Sequence, residues 1–131
     1  MKHIEVVAAI IKKEDKILAT QRGYGEFKGL WEFPGGKIEN NESKEAALIR
    51  EIKEELKADI TMSCFVRTIE FDYPTFHLTM HCYFAKLKNN SFQLTEHMNA
   101  CWLTKDKLNT VDWLPADIEI VEELKKIPFT K

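Results

Sequence analysis

Cysteine is scarce in this chain of 131 residues, and the cysteines present are far apart. Cys64, Cys82 and Cys101 are an odd number and form no Cys-x-x-Cys pair. Disulfide frameworks need paired cysteines, and thiolate zinc sites need closely spaced ones. The pattern argues against both, and we expect buried free thiols.

Long hydrophobic runs are also missing. The longest apolar run, Val6 to Ile11, has six residues, whereas a membrane-spanning helix needs about 20. The N-terminus shows no signal-peptide pattern. We therefore expect no membrane association and a cytoplasmic protein.

The chain has little net charge, with 19 Lys and Arg against 21 Asp and Glu, giving −2. The chain has no net positive charge to attract a nucleic-acid polymer or an acidic membrane surface, so an anionic ligand must be bound by local groups. Hydrophobic residues make up 44% and charged residues 31%, and no repeat or linker is visible. This composition predicts one soluble globular domain over residues 1–131.

The hydrophobic patterns predict an α+β protein, an α/β/α sandwich with a mixed β-sheet packed between helices. Strand-like segments and turn signals alternate with two helical segments. Pro34-Gly35-Gly36 is a strong turn signal, and the chain must bend sharply there. The predicted strands are 3–12, 16–21, 60–71, 75–87 and 100–103, and the predicted helices are 43–56 and 116–127.

The first predicted helix begins at Ser43, a good N-cap, and has an apolar face. The residues of that face are Leu48, Ile49, Ile52 and Leu56. Glu51 and Glu55 border the face, and Glu54 lies just beyond them. Carboxylates at the edge of a buried face cost desolvation energy unless a positive charge lies there.

This row of acids is the first chemical signal in the sequence. Glu51, Glu54 and Glu55 are spaced i, i+3 and i+4, so their charges repel one another. A hard divalent cation such as Mg²⁺ would reverse that repulsion, and it takes oxygen ligands. The alternative is a solvated acidic face of a surface helix.

The stretch from Gly36 to Glu55 resembles the Nudix box, a Gly followed at fixed spacing by acids and an arginine. The matching residues here are Gly36, Glu42, Arg50-Glu51, Ile52 and Glu54-Glu55. Lys57 and Ala58 stand where the box has a Gly and an aliphatic residue. Lys57 either adopts a left-handed conformation, at a cost of about 1–2 kcal/mol, or lets the helix continue.

The segment from Trp31 to Glu39 extends the resemblance to the MutT-like branch of the Nudix family. The resemblance implies the Nudix fold and Mg²⁺-dependent hydrolysis of nucleoside triphosphates to a monophosphate and pyrophosphate. Mn²⁺ is an alternative cofactor. The implied partner is a small nucleotide, and the protein is expected to be a monomer or a homodimer.

The resemblance also implies roles for individual residues. Glu51, Glu54, Glu55 and the Gly35 carbonyl would bind the metal, while Arg50 and Glu42 would orient the catalytic helix. Glu96 matches an acidic position that binds metal or acts in general base catalysis; the alternative is a solvated loop residue.

Four further residues are candidates for substrate binding, each with a simpler alternative. Arg22 and Lys37 would contact phosphate, or are solvated surface cations. Phe33 would stack on the base, or packs in the core. Asp117 lies in a Pro-Ala-Asp segment similar to that of CTP pyrophosphohydrolases in the family. It would read the base, or is an ordinary first-turn Asp.

An ionised Asp117 only accepts hydrogen bonds, so it favours the exocyclic amine of cytosine, whereas a protonated one could donate to an oxidised purine. We therefore expect activity on CTP, dCTP or a modified pyrimidine nucleotide. The alternatives are an 8-oxo-dGTP diphosphatase and a non-catalytic nucleotide-binding Nudix domain.

The remaining histidine and tryptophan signals are expected to be structural. His77 and His81 lie on one side of a strand, but no third metal ligand is in register. Trp102 and Trp113 are expected to pack.

Overall fold

The computed structural model describes residues 2–128 and contains seven strands, two α-helices and a 3₁₀ helix. The single domain predicted over 1–131 stays a prediction, because residues 1 and 129–131 lie outside the described part. The strands are β1 (Lys2–Lys13), β2 (Lys16–Gln21), β3 (Trp31–Glu32), β4 (Gly35–Lys37), β5 (Ile60–Tyr73), β6 (Phe76–Leu87) and β7 (Asn99–Thr104). The helices are α1 (Lys44–Leu56), a 3₁₀ helix (Lys105–Thr110) and α2 (Pro115–Leu124).

Strand β1 is the centre of the sheet. It pairs in parallel with β6 over most of its length and antiparallel with β4. Its last residues pair with the start of β2, which also pairs with β3 and β7. The main strand order is β3-β2-β1-β6-β5. The sheet is therefore mixed, as expected.

The two faces of β1 contact two different helices because its side chains alternate. Val7, Ala9 and Ile11 pack with the apolar residues of α1, and Ala8 and Ile10 pack with those of α2. Both sides of the strand are thus buried, which explains its continuous apolar run. The sheet lies between the helices, and the predicted fold class is confirmed.

Helix α1 begins as predicted, with the Ser43 hydroxyl accepting a hydrogen bond from the Ala46 N–H at 3.0 Å. Its buried face differs from the prediction, because Ile49 is 42% exposed and Ala47 is fully buried. At about 100° per residue, this turns the buried face toward the side that carries Glu51 and Glu55. The two acids therefore lie within the packed arc rather than at its border.

The segment after Pro34 forms a strand, where a turn through Gly36 was expected. The chain bends at Pro34, and β4 then pairs with β1 from Ala8 opposite Gly35 to Val6 opposite Lys37. A Cβ atom at Gly35 would collide with the Val7 carbonyl oxygen. The glycines therefore permit a close strand pairing here.

Three smaller expectations also need correction. Helix α2 ends at Leu124 rather than Ile127, and the 3₁₀ helix was not predicted. All three cysteines are free, but Cys64 is exposed, Cys101 is partly buried and only Cys82 is fully buried. Cys64 lies in β5, an edge strand with an exposed side. Within residues 2–128, no helix is long and apolar enough to span a membrane.

The departure at Lys57 is resolved by the end of α1. Lys57 adopts the left-handed conformation, with φ 52° and ψ 40°, and its N–H donates to the Lys53 carbonyl. The helix therefore ends at Leu56, and a residue with a Cβ takes the strained position that glycine fills in the box.

Replacing Lys57 by Gly should raise the free energy of unfolding by about 0.5–1 kcal/mol, because the left-handed strain exceeds the entropy that glycine adds to the unfolded chain. Urea unfolding measures this difference. Lys57→Ala is the matched control and should give no gain, since alanine keeps the Cβ. Equal stability of the Gly and Ala variants would contradict the assignment.

Candidate active site

The box acids of α1 divide into two groups. Glu55 lies against β4, where its Oε1 accepts a hydrogen bond from the Gly35 N–H at 3.3 Å. Glu51 lies against Gly36, where an added Cβ would collide with the Glu51 carboxyl group. The side chain of Glu54 is 60% exposed. Two carboxylates are therefore held against the backbone of β4, and the third faces solvent.

The two inner carboxylates are destabilised in their charged form. Burial, followed by the charges of Glu32 and Glu51, raises the pKa of Glu55 to about 8. Burial also raises the pKa of Glu51 above its ordinary value, although Arg50 opposes the shift. Desolvated and mutually repelling carboxylates are a site where a cation would be stabilising.

Arg50 fixes the start of the box to the helix. Its Nε and Nη2 donate to the two oxygens of Glu42 at 2.7 and 2.9 Å, and its Nη2 also donates to the Lys37 carbonyl at 3.0 Å. Its Nη1 donates to Glu51 at 3.1 Å. The Arg50 hydrogen bond, with the Glu39 N–H, lowers the pKa of Glu42 to about 2. These hydrogen bonds form a clamp (Arg50, Glu42 and the Lys37 carbonyl), and the orienting role of Arg50 and Glu42 stays a prediction.

The donors present fit a hard divalent cation, although the three box acids do not converge on one point. Within residues 2–128, they do not form a group whose ligand oxygens all lie within 4.8 Å of one another. Glu51 and Glu55 flank the Gly35-Gly36 backbone, and Glu54 is within side-chain reach on the same helix face. Carboxylate oxygens with unbalanced charge are the ligands that Mg²⁺ prefers.

A cleft of about 130 Å³ opens beside these acids. It brings together four residues singled out in the sequence: Arg22, Phe33, Gly35 and Asp117. Apolar side chains form much of its wall, namely Phe27, Tyr73, Phe76, Leu78, Met80 and Leu114. An apolar cleft with a few polar groups is typical of a small-molecule site.

Arg22 is already engaged by a partner that the sequence analysis missed. Its Nη2 donates to Glu32 Oε1 at 2.6 Å, and His97 Nε2 lies 3.1 Å from Glu32 Oε2. Burial acts to raise the pKa of Glu32, but hydrogen bonds from His97 and Arg22 outweigh it and lower that pKa. In the sequence, the one indication that Glu32 is partly buried was its position between two aromatic residues, Trp31 and Phe33.

Phe33 and Asp117 line the cleft and contact each other's segments. Phe33 is buried and stacks on Trp113 with ring centroids 4.7 Å apart, and its N–H donates to Asp117 Oδ2 at 3.0 Å. Burial, followed by the charge of Glu32, raises the pKa of Asp117 to about 8. The raised pKa favours the protonated form of Asp117, the one of the two forms considered above that could donate to an oxidised purine.

Lys37 and Glu96 do not line the cleft. Both are exposed, and Lys37 approaches the site through its carbonyl, which Arg50 binds. Glu96 follows Thr95, whose hydroxyl donates to the Glu54 and Glu55 carbonyls at the end of α1. The charge of Glu96 contributes to the raised pKa of Glu55. Glu96 thus lies near the inner acids without contacting them.

The histidines outside the cleft fall into two groups. His77 lies in one cluster with His3 and Glu70, and His81 is not a member of that cluster. His81 bonds to Glu5 and Thr68, as a structural residue does.

The tryptophans pack, as predicted. Trp113 is 7% exposed. Trp102 lies edge-on to Phe92 with ring centroids 6.4 Å apart.

Comparison with known proteins defines the class of this fold and site. A model of the NUDIX domain matches residues 1–124. The solved structure of a MutT protein from methicillin-resistant Staphylococcus aureus 252 is 42% identical with a TM-score of 0.76, covering 96% of this chain and 98% of that one. The chain belongs to the NUDIX family and is a MutT-like Nudix hydrolase. The predicted family and enzyme class are confirmed.

Two curated relatives carry different substrate names. A CTP pyrophosphohydrolase of Escherichia coli (strain K12) is 37% identical over 123 residues, covering 93% of this chain and 91% of that protein. An 8-oxo-dGTP diphosphatase of Proteus vulgaris is 35% identical over 102 residues, covering 76% of this chain and 89% of that protein. Nudix enzymes act on small nucleotides and generally use a divalent metal ion.

In metal-free buffer above pH 8, Glu55→Gln should raise the free energy of unfolding by about 1–2 kcal/mol. The pKa of Glu55 in the folded state, about 8, lies above its ordinary value. The free energy of unfolding of the wild-type protein therefore falls as the pH rises from the ordinary pKa to the folded-state pKa. The advantage of the variant should vanish below about pH 4. Chemical denaturation at several pH values measures it.

Glu54→Gln is the matched control, because Glu54 is exposed on the same helix. Its stability should stay within about 0.5 kcal/mol of wild type at every pH. The assignment of a desolvated Glu55 fails if the Glu55 variant behaves like this control.

Proposed function

We propose that the protein is a divalent-metal-dependent nucleoside triphosphate pyrophosphohydrolase that releases a nucleoside monophosphate and pyrophosphate. The proposed substrates are CTP, dCTP or a modified pyrimidine nucleotide, and the proposed role is nucleotide-pool housekeeping in the cytoplasm. The observation that carries the proposal is the position of Glu51 and Glu55 against Gly36 and Gly35, two residues that line an apolar cleft.

The arrangement supports separate roles, in which the cleft binds the base and the acids bind the metal ion near the phosphates. The cleft is lined by Phe33, Asp117 and Gly35, and the Gly35 N–H donates to Glu55. A base held in the cleft would place its phosphates toward the box acids. Arg22 is paired with Glu32, so the phosphates need a further positive charge.

Mg²⁺, or Mn²⁺ in its place, would be held by Glu51, Glu54, Glu55 and the Gly35 carbonyl, where it would neutralise phosphate oxygens and acidify a bound water. Glu96 is proposed as a further ligand or as the general base. Arg50 and Glu42 keep the helix in register with β4. Phe33, already stacked on Trp113, would present its edge or remaining face to the base.

The identity to a CTP pyrophosphohydrolase supports the pyrimidine assignment. An 8-oxo-dGTP diphosphatase is the second candidate, and one observation favours it. The raised pKa of Asp117 favours a carboxylic acid that can donate to an oxidised purine as well as accept. Asp117 alone therefore does not select the base.

A non-catalytic nucleotide-binding domain is the third candidate, and the intact set of box acids argues against it. We propose a monomer or a homodimer that acts on free nucleotides and binds neither nucleic-acid polymers nor membranes. Lys37, exposed beside the clamp, remains a candidate phosphate contact.

The wild-type enzyme should hydrolyse CTP or dCTP in preference to 8-oxo-dGTP when the nucleotides compete at equal concentration. Product analysis should show a monophosphate and pyrophosphate. A preference of more than about tenfold for the oxidised purine, equivalent to about 1.4 kcal/mol, would overturn the pyrimidine assignment. Methylated nucleotides, diphosphate sugars, dinucleoside polyphosphates and NADH complete the panel.

Glu54→Gln tests whether the activity belongs to this site, because it removes an exposed acid with little effect on folding. Turnover should fall by more than about 100-fold. Glu119→Gln, an exposed acid on α2, should keep wild-type turnover. Unchanged rates in the Glu54 variant would remove the proposed metal role.

A further inference from the structure

A second cluster of metal-ligating side chains lies on the sheet, on strands β1, β5 and β6. His3, Glu70 and His77 offer ligand atoms that all lie within 4.8 Å of one another. We propose that this histidine cluster (His3, Glu70 and His77) is a binding site for a borderline divalent transition-metal ion, Zn²⁺ above all. It is separate from the box acids on α1.

The register of the sheet brings the cluster together. His3 on β1 lies directly opposite His77 on β6, and their rings meet edge to face with centroids 5.0 Å apart. On the other side of β6, Glu70 of β5 lies 2.7 Å from His77 Nε2 through its Oε1 atom. Three adjacent strands each supply one ligand, so backbone pairing fixes the positions of all three.

Asp72 orients one of the imidazoles as in known metal sites. His77 Nδ1 lies 2.6 Å from Asp72 Oδ1, which leaves Nε2 to face Glu70 and His3. A metal-bound histidine almost always donates its other N–H to a carboxylate or carbonyl in this way. A solvated surface histidine needs no such partner.

In the metal-free protein, hydrogen bonds connect the residues of the cluster. His77 Nδ1 and Nε2 lie within hydrogen-bond distance of Asp72 and Glu70, and these hydrogen bonds raise the pKa of His77. The Thr79 hydroxyl donates to Glu70 and lies 2.8 Å from His3 Nε2. The charged or ionisable groups facing His77 are thus Asp72 and Glu70 on β5 and His3 on β1.

The ligand chemistry selects the metal. Two imidazoles and a carboxylate suit Zn²⁺, which binds nitrogen at about 2.0–2.1 Å, whereas Mg²⁺ prefers oxygen alone. Three protein ligands would leave a fourth position for water. His3 and Glu70 are exposed, so their side chains can rotate toward a common point.

The test is a calorimetric titration of the whole protein with Zn²⁺ in excess Mg²⁺, which occupies the box acids. We expect saturation at one equivalent. His3→Gln and His77→Gln should each weaken binding by at least about 100-fold, and Asp72→Asn by about 10–100-fold. Circular dichroism would check that each variant folds.

The histidine ring signals in NMR provide an independent readout. The chain has four histidines, and Zn²⁺ should shift the ring signals of His3 and His77 while leaving His81 and His97 unchanged. Glu119→Gln is the control variant and should bind Zn²⁺ as wild type does. Absence of saturable binding, unchanged affinity in the His77 variant, or shifts centred on His81 or His97 would each overturn the proposal.

Discussion

The close approach of β4 to its neighbours is the constraint on which the site depends. Gly35 has no room for a side chain beside the Val7 carbonyl, and Gly36 has none beside the Glu51 carboxyl group. This contact draws α1 onto the sheet with its acidic side inward. In this orientation of the helix, Ala47 is buried and Ile49 is exposed.

The chain is nearly neutral overall, but negative charge is concentrated in the segment that includes this contact. Six glutamates lie between residues 39 and 55, and Arg50 balances those at the start of the box. Among residues 2–128, no arginine balances Glu55 in this way, and its pKa rises to about 8 through burial and its acidic neighbours. In the cleft, Arg22 is paired with Glu32. The proposed binding of a triphosphate therefore requires a cation recruited by the acids.

Local patterns predicted the elements well, because capping, periodicity and turn chemistry act over a few residues. The Ser43 cap, the long β5–β6 hairpin and the spacing of the acids follow from such signals. The pairing of β4 and the bonds of Glu32 to Arg22 and His97 depend on contacts between distant segments, which no local pattern encodes. The cluster around His77 could not be predicted for the same reason, since His3 joins it only through the β1–β6 register.

The position of the divalent cation tests the account most directly. Substoichiometric Mn²⁺, added to the ¹⁵N-labelled His77→Gln variant so that the histidine cluster does not compete for the ion, broadens the amide signals nearest to it. The account predicts that the amides of Gly35, Gly36 and the second half of α1 lose intensity first, while those of α2 beyond Ile120 persist. Broadening centred elsewhere, with Gly35 and Gly36 unaffected, would contradict it.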